Sequence, residues 1–333
     1  MKPAVRARQR RRTPNPDPRP MQFTTAIPTY NRPQALDNCI HSVLAQTQQP
    51  VQLIVIDDGE LPAPPFEGEC RTAGIDYVYR QKNSNPGLTA SRNLALELTS
   101  GDVILFLDDD VVLDPCFIER LAELYARGPQ HVGGVGGTIT NRPGQTLPRR
   151  LRHWMDILFL NSGRKEGRVL PSGFCTNYAQ AAAAPRKITE VDFLPGCAMS
   201  FRTDAIRGLK FDQDRYAGYG YGEDKEFCMQ VREAGHRLWI HPDATLQHFE
   251  APQMRPNKEK RGRMFVVSHY IFFQRHVRHK RAQTILFWYA MTGYILIRVA
   301  AWLVAAGRKG ETKRLRGIYR GLRQIIRGDA VVQ

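Results

Sequence analysis

Three groups of carboxylates sit where side chains can converge on a ligand. Asp57-Asp58 ends the apolar run Leu53-Ile-Val-Ile56, and Asp108-Asp109-Asp110 ends Val103-Ile-Leu-Phe-Leu107. Glu223-Asp224 follows Gly218-Tyr-Gly-Tyr-Gly222. Hard oxygen ligands, offered one or two at a time, are how Mg2+ or Mn2+ is held beside a diphosphate. Five carboxylates converging at strand ends would repel one another unless a cation or donor groups compensated them. Asp also favours turns, so Asp57-Asp58 alone reads equally well as strand-end turn chemistry. Three consecutive Asp between a buried run and Val111-Val112 are harder to assign to a turn. Glu223 and Asp224 precede Phe227, Met229-Gln230-Val231 and Gly235, which places them in the first turn of a helix. The helix dipole favours acids there by about 0.3–1 kcal/mol. The glycine-rich loop before them can close over an acceptor, with Tyr219 or Tyr221 as a stacking surface.

The elements that position these groups follow from hydrophobic periodicity. Gln22–Ile27 reads as a strand, with Asn31 as a helix cap and Pro33 in the first turn of a helix carrying Leu36, Ile40, Val43 and Leu44. Val51–Ile56 and Val103–Leu107 are continuous apolar runs suited to a sheet buried on both faces. Ile75–Tyr79 is a third strand, a helix follows Pro86-Gly87 and stops at Gly101, and another opens at Asp114-Pro115 and closes near Gly128. This alternation predicts an open α/β domain with a largely parallel sheet. Residues 130–190 read as irregular, with glycines at 133, 134, 136 and 137 that do not form a dinucleotide-binding fingerprint. Regularity returns with strands at Val191–Phe193, Met199–Arg202 and Arg237–Ile240 and a helix from Glu223 to Ala234.

Five segments then occur in a telling order: Ala26-Ile-Pro-Thr-Tyr-Asn-Arg32, Val55-Ile-Asp-Asp-Gly59, Gly87-Leu-Thr-Ala-Ser-Arg-Asn93, Leu105-Phe-Leu-Asp-Asp-Asp110 and Gly220-Tyr-Gly-Glu-Asp224. Together they closely resemble the family 2 glycosyltransferases, inverting enzymes of the GT-A fold, over about residues 22–250. The resemblance implies a single nucleotide-binding open sheet with flanking helices. It implies that Pro28 and Tyr30 flank the nucleotide base, that Asp58 hydrogen-bonds it, and that Arg92 lies near the nucleotide. Asp108 would face the ribose and Asp110 would coordinate the metal at the diphosphate, with His248 as a second metal ligand. Gly196 and Cys197 would lie beside the donor sugar, and Asp224 would be the acceptor-activating base, with Glu223 as its catalytic neighbour. The chemistry agrees. A departing diphosphate needs a cation, and an attacking hydroxyl needs a base, which a carboxylate outside the metal shell can provide. One base and one displacement give inversion, whereas a hydrolase wants two carboxylates flanking the bond.

Charge and hydropathy point to the partners. Of the net charge of +16, residues 1–20 carry +6 and residues 255–333 carry +15, leaving −5 in 21–254. The expected organisation is a disordered basic, Pro-rich tail (1–20), a catalytic domain (21–254) and a basic helical region (255–333) around the apolar segment 284–306. That segment is long enough to span a bilayer, but Arg298 lies inside it, and both flanks are basic. Trp288, Tyr289, Tyr294 and Trp302 suit an interfacial depth, so a helix lying in the cytoplasmic leaflet is favoured over a span or a soluble packed helix. Six scattered cysteines with no C-x-x-C fit neither a zinc ribbon nor a disulfide framework and suit a reducing cytosol. The expected activity is metal-assisted transfer, with Mn2+ or Mg2+, from a nucleotide-diphosphate sugar to a lipid-linked or cell-envelope glycan at the cytoplasmic face of an anionic membrane. Nucleic acid is not an expected partner. The rivals are a nucleotidyltransferase, disfavoured by the lack of a Walker-type loop, and a catalytically idle binding module.

Overall fold

The computed structural model describes residues 19–61, 66–82, 87–142, 146–176, 178, 185–218, 220–249, 256–304 and 309–332. The basic stretch up to residue 18, the alanine-rich run 181–184 of the segment read as irregular, and Tyr219 lie outside the described residues. Strands and helices alternate at first: β1 (Phe23–Thr29), α1 (Pro33–Leu44), β2 (Gln52–Asp57), α2 (Glu67–Thr72), β3 (Asp76–Gln81), α3 (Leu88–Leu98) and β4 (Val103–Leu107). Then come β5 (Val111–Leu113), α4 (Phe117–Arg127), β6 (Val132–Ile139), α5 (Leu147–Leu158), the short pair β7 (Arg168–Val169) and β8 (Cys175–Thr176), β9 (Thr189–Val191) and β10 (Ala198–Arg202). The chain continues through α6 (Glu223–Glu233), β11 (Arg237–His248), α7 (Lys258–Phe272), a π-helical turn (Phe273–Val277), α8 (Arg281–Val304) and α9 (Lys309–Arg327).

Nine strands form one mixed sheet in the order β3-β2-β1-β4-β10-β6-β11-β5, with β9 on β11. β1, β2, β3 and β4 are parallel, and β10 runs antiparallel between β4 and β6. The strand order reverses between β1 and β4, which puts the ligand crevice at their carboxyl ends. Pairing of β1 with β4 ends at Ala26↔Phe106, two residues before Pro28, while pairing with β2 continues to Thr29. Pro28 lacks the N–H that a ladder requires, so it falls where the two strands part.

Residues alternate between two cores, as a period of two demands. Ala26, Ile54, Ile56, Ile104 and Phe106 face α3, α6 and the C-terminal helices, whereas Ile27, Leu53, Val55 and Leu105 face α1 and α4. Three local expectations change. The glycine run forms β6 at the centre of the sheet, because a Cβ on Gly134 would lie 2.8 Å from both Leu238 and Phe201. α5 is regular within the segment expected to be irregular. Asn31 is not a cap: it has φ 53°, the N-cap is Arg32, and the Asn31 side chain accepts from the Glu60 N–H at 2.9 Å.

Candidate active site

β4 and β11 bring together a group the sequence holds far apart. β11 runs on past Ile240 and pairs antiparallel with β5, setting His248 opposite Val111. The His248 ring thereby reaches the Asp110 carboxylate, Nε2 to Oδ1 at 3.1 Å. Donor atoms of Asp108, Asp110 and His248 all lie within 4.8 Å of one another. Two carboxylates and an imidazole are a donor set that fits a borderline-hard divalent cation such as Mn2+. Burial alone would push the His248 pKa down, but hydrogen bonds to Asp110 and Cys197 outweigh it and hold the ring at about 11.

Asp109 points the other way. It accepts from the Thr29 hydroxyl at 2.7 Å and pairs with Arg32 at 2.6 Å, fully buried. Burial pushes its pKa up to about 7, against the pull of Arg32. Arg32 also binds Asp110 at 2.9 Å, so one guanidinium holds both acids. A cleft of about 420 Å3 opens beside Asp110, lined by Asn31, Arg32, Asn38, Val112 and Phe249.

Arg92 joins this group to the second set of acids. It is buried, 1% exposed, and its guanidinium bonds Asp108 at 3.3 Å, Glu223 at 3.0 Å and the Gly196 carbonyl at 2.9 Å. Glu223 and Asp224 open α6 behind Gly222, whose φ of 93° needs glycine. Burial and the neighbouring Asp224 charge push Glu223 upward, with Arg92 opposing. Asp224 stays half-buried and outside the metal-type cluster. Gly196 faces it so closely that a Cβ there would lie 2.7 Å from Asp224 Oδ2. Cys197, by contrast, is buried behind the triad, its carbonyl accepting from the Asp108 N–H at 2.9 Å.

The first acidic pair divides its labour. Asp57 is fully buried and bound to the Gly59 and Leu61 N–H groups and the Tyr79 hydroxyl, so it builds the turn and faces away from the crevice. Asp58 is held by Lys82, by the Ser91 hydroxyl at 2.7 Å and by the Gly87 N–H at 3.1 Å. Pro28 is buried at the end of β1, and Tyr30 projects beyond it, 36% exposed. Tyr221 packs its ring 6.1 Å from Phe265. Sequence reasoning gave no role to Arg32 or Lys82. Arg32 lies inside a quoted motif; Lys82 carries no local signal.

The family model described as Glycosyl transferase family 2 matches residues 24–204. The chain is 28% identical over 231 residues to an N-acetylglucosaminyltransferase of Azorhizobium caulinodans, covering 66% of this chain and 52% of that protein. It is 33% identical over 123 residues to a glucosyl-dolichyl phosphate glucuronosyltransferase of Haloferax volcanii, covering 36% and 38%. The chain therefore spans about half or less of the length of these relatives. Its fold is like that of the mannosyltransferase PcManGT from Pyrobaculum calidifontis, solved with GDP-Man and Mn2+, with a TM-score of 0.53, 16% identity and coverage of 92% and 89%.

Proposed function

Since this chain belongs to glycosyl transferase family 2, we propose that it transfers a sugar, with inversion, from a nucleotide-diphosphate sugar to a hydroxyl of a lipid-linked or cell-envelope glycan. The observation that carries the reading is the placement of Asp224, half-buried against Gly196 and tied through Glu223 and Arg92 to Asp108. Asp224 takes the proton of the acceptor hydroxyl as the general base. Glu223, held by Arg92, orients the acceptor side. Pro28, Tyr30 and Asp58 bind the base, Asp108 the ribose, and Arg92 positions Asp108. Asp110 and His248 hold Mn2+ or Mg2+, which supplies Lewis-acid neutralisation of the diphosphate when bound. Gly196 borders the donor sugar, and Tyr221 borders the acceptor.

A lipid-linked acceptor is supported by α8, the described helix long and apolar enough to cross a membrane, and by the +15 charge of residues 255–333. α8 buries Phe287, Ala290, Met291 and Tyr294 in the core of the catalytic sheet. A helix packed on protein along one side lies along a membrane more readily than through it, which supports a peripheral dock, and the leaflet we assign to it is the cytoplasmic one. The glucuronosyltransferase relative, whose name includes glucosyl-dolichyl phosphate, is consistent with this. The test is Asp224→Asn, assayed by nucleotide-diphosphate release across a panel of donors with Mn2+. Donor affinity should stay near wild type while turnover falls by about 10²–10⁴-fold. Turnover close to wild type, or joint loss of nucleotide binding, removes Asp224 from the role.

A further inference from the structure

α5 is built inside out. Leu147, Leu151, Trp154, Met155 and Leu158 recur at helical spacing and are 42–71% exposed, while the residue the helix buries is Asp156. Asp156 turns inward, where Arg152 binds both its carboxylate oxygens at 3.0–3.1 Å and its carbonyl accepts from Asn161 and Ser162. A water-facing helix places these two faces the other way round. Five large apolar side chains on one stripe exceed the scattered exposure normal for a soluble surface and mark an interaction site.

The stripe is continuous with α8. The Tyr289 hydroxyl donates to the Leu158 carbonyl at 3.1 Å, the Phe159 and Tyr289 rings lie 5.8 Å apart, and Gly293 receives the Phe159 ring. On α8 the outward residues Ile285, Trp288, Tyr289, Leu296 and Leu303 are 40–70% exposed. Two helices from distant parts of the chain thus turn apolar faces outward side by side. Arg150 flanks the stripe on α5, and Arg164 lies over the Trp154 ring at 5.9 Å. Cationic side chains beside an apolar stripe with tryptophan suit an anionic lipid surface, where the apolar face enters the acyl boundary and the cations stay with the headgroups. A protein partner would not call for cations ringing an apolar stripe that continues onto a bilayer-length helix.

We propose that α5 is a second membrane-inserting element, supplied by the catalytic domain itself, and that it lies in the leaflet of an anionic bilayer together with the outer face of α8. This inference rests on the membrane-docked reading above and is independent of the chemistry given to Asp224.

The test compares the full chain with Leu151→Gln/Trp154→Gln/Leu158→Gln by co-sedimentation with phosphatidylcholine vesicles containing phosphatidylglycerol. These side chains face out, so the melting temperature should hold. The triple variant should partition at least about tenfold less, the loss expected when three large apolar side chains no longer enter the membrane. Brominated lipids should quench wild-type tryptophan fluorescence more than that of Trp154→Phe. Equal partitioning of variant and wild type overturns the role of α5 alone, and failure of the wild type to bind any vesicle overturns the membrane-docked reading with it. A wild-type dimer in solution that the triple variant abolishes, with vesicle binding unchanged, would mean that the stripe serves a second copy of the chain. Donor hydrolysis without vesicles should be the same for both proteins.

Discussion

At the scale of single residues, the site depends on close approaches that only certain side chains permit. Gly196→Ala inserts a methyl 2.7 Å from Asp224 Oδ2 and must displace that carboxylate. A shift of about 1 Å in a reacting group can cost about 10²-fold in rate. Turnover should fall by that order with nucleotide affinity unchanged, as read by steady-state kinetics beside a nucleotide titration. A wild-type rate would mean that Asp224 moves freely or has no part in the reaction. The metal-type cluster gives a second expectation: Asp110→Asn should abolish Mn2+ binding, and His248→Gln should weaken it at least about tenfold, followed by electron paramagnetic resonance. Unchanged affinity in His248→Gln would leave His248 as a packed residue. Asp108, Asp110 and Asp224 are readable in the sequence because each follows a strand or a loop of unmistakable pattern. Arg32 and Lys82 are not, since their partners Asp110 and Asp58 lie 78 and 24 residues away and charge pairing over such separations has no local period.

At the scale of elements, α6 has to hold its first turn still, and a clamp ties that turn, through Glu226, to the helix's other end at Glu233. The π-helical turn after α7 carries His276, whose Nδ1 lies 2.6 Å from Glu233 and whose Nε2 lies 2.7 Å from Glu226. Arg275 reaches Glu226 at 3.0 Å and Asp212 at 2.6 Å, so one buried acid binds two cations. Burial would lower the His276 pKa, but the two carboxylates outweigh it and raise the value above the usual 6.5. The imidazolium then stabilises the fold fully below about pH 6.5, and this contribution is lost as pH rises through the raised value. His276→Gln should cost about 1–3 kcal/mol at pH 6, because charged hydrogen bonds are removed while Arg275 remains. The gap from wild type should narrow on the alkaline side in denaturant unfolding; a gap unchanged between pH 6 and pH 10 would rule out the charged clamp. Sequence pattern revealed α1, α3, α6 and strands β1, β2 and β4, whose apolar spacing is regular. It concealed β6, because glycine shows no period, and α5, because a helix with its acid inward and its leucines outward does not read as core-facing.

At the scale of the whole molecule, charge divides the chain into an acidic body and a basic C-terminal region, yet packing does not follow that division. α7, α8 and α9 contribute Val266, Phe287, Met291, Ile318 and Ile325 to the same apolar layer as Ile54, Phe106 and Phe227. α7 and α9 approach closely enough that a Cβ on Gly262 would lie 2.5 Å from the Arg314 carbonyl. The tryptophans and Arg298 of the apolar run at 284–306 suggest an interfacial helix from the sequence. They do not reveal its inner stripe, because uniform hydrophobicity hides which side meets protein. Deleting residues 281–333 would therefore strip a wall from the catalytic core, and the product should lack a cooperative melt. Single substitutions separate the two faces of α8. Phe287→Ala, fully buried and stacked on Phe273 with ring centroids 4.5 Å apart, should cost about 3–5 kcal/mol in denaturant unfolding. Leu296→Gln, half-exposed on the opposite side, should stay within about 0.5 kcal/mol of wild type while weakening vesicle binding. High salt should release the intact protein from vesicles only in part, since screening weakens the arginine attraction and leaves the apolar burial in place. Equal destabilisation by the two substitutions would mean that α8 is enclosed by protein on all sides, and complete release by salt would mean that neither helix enters the lipid.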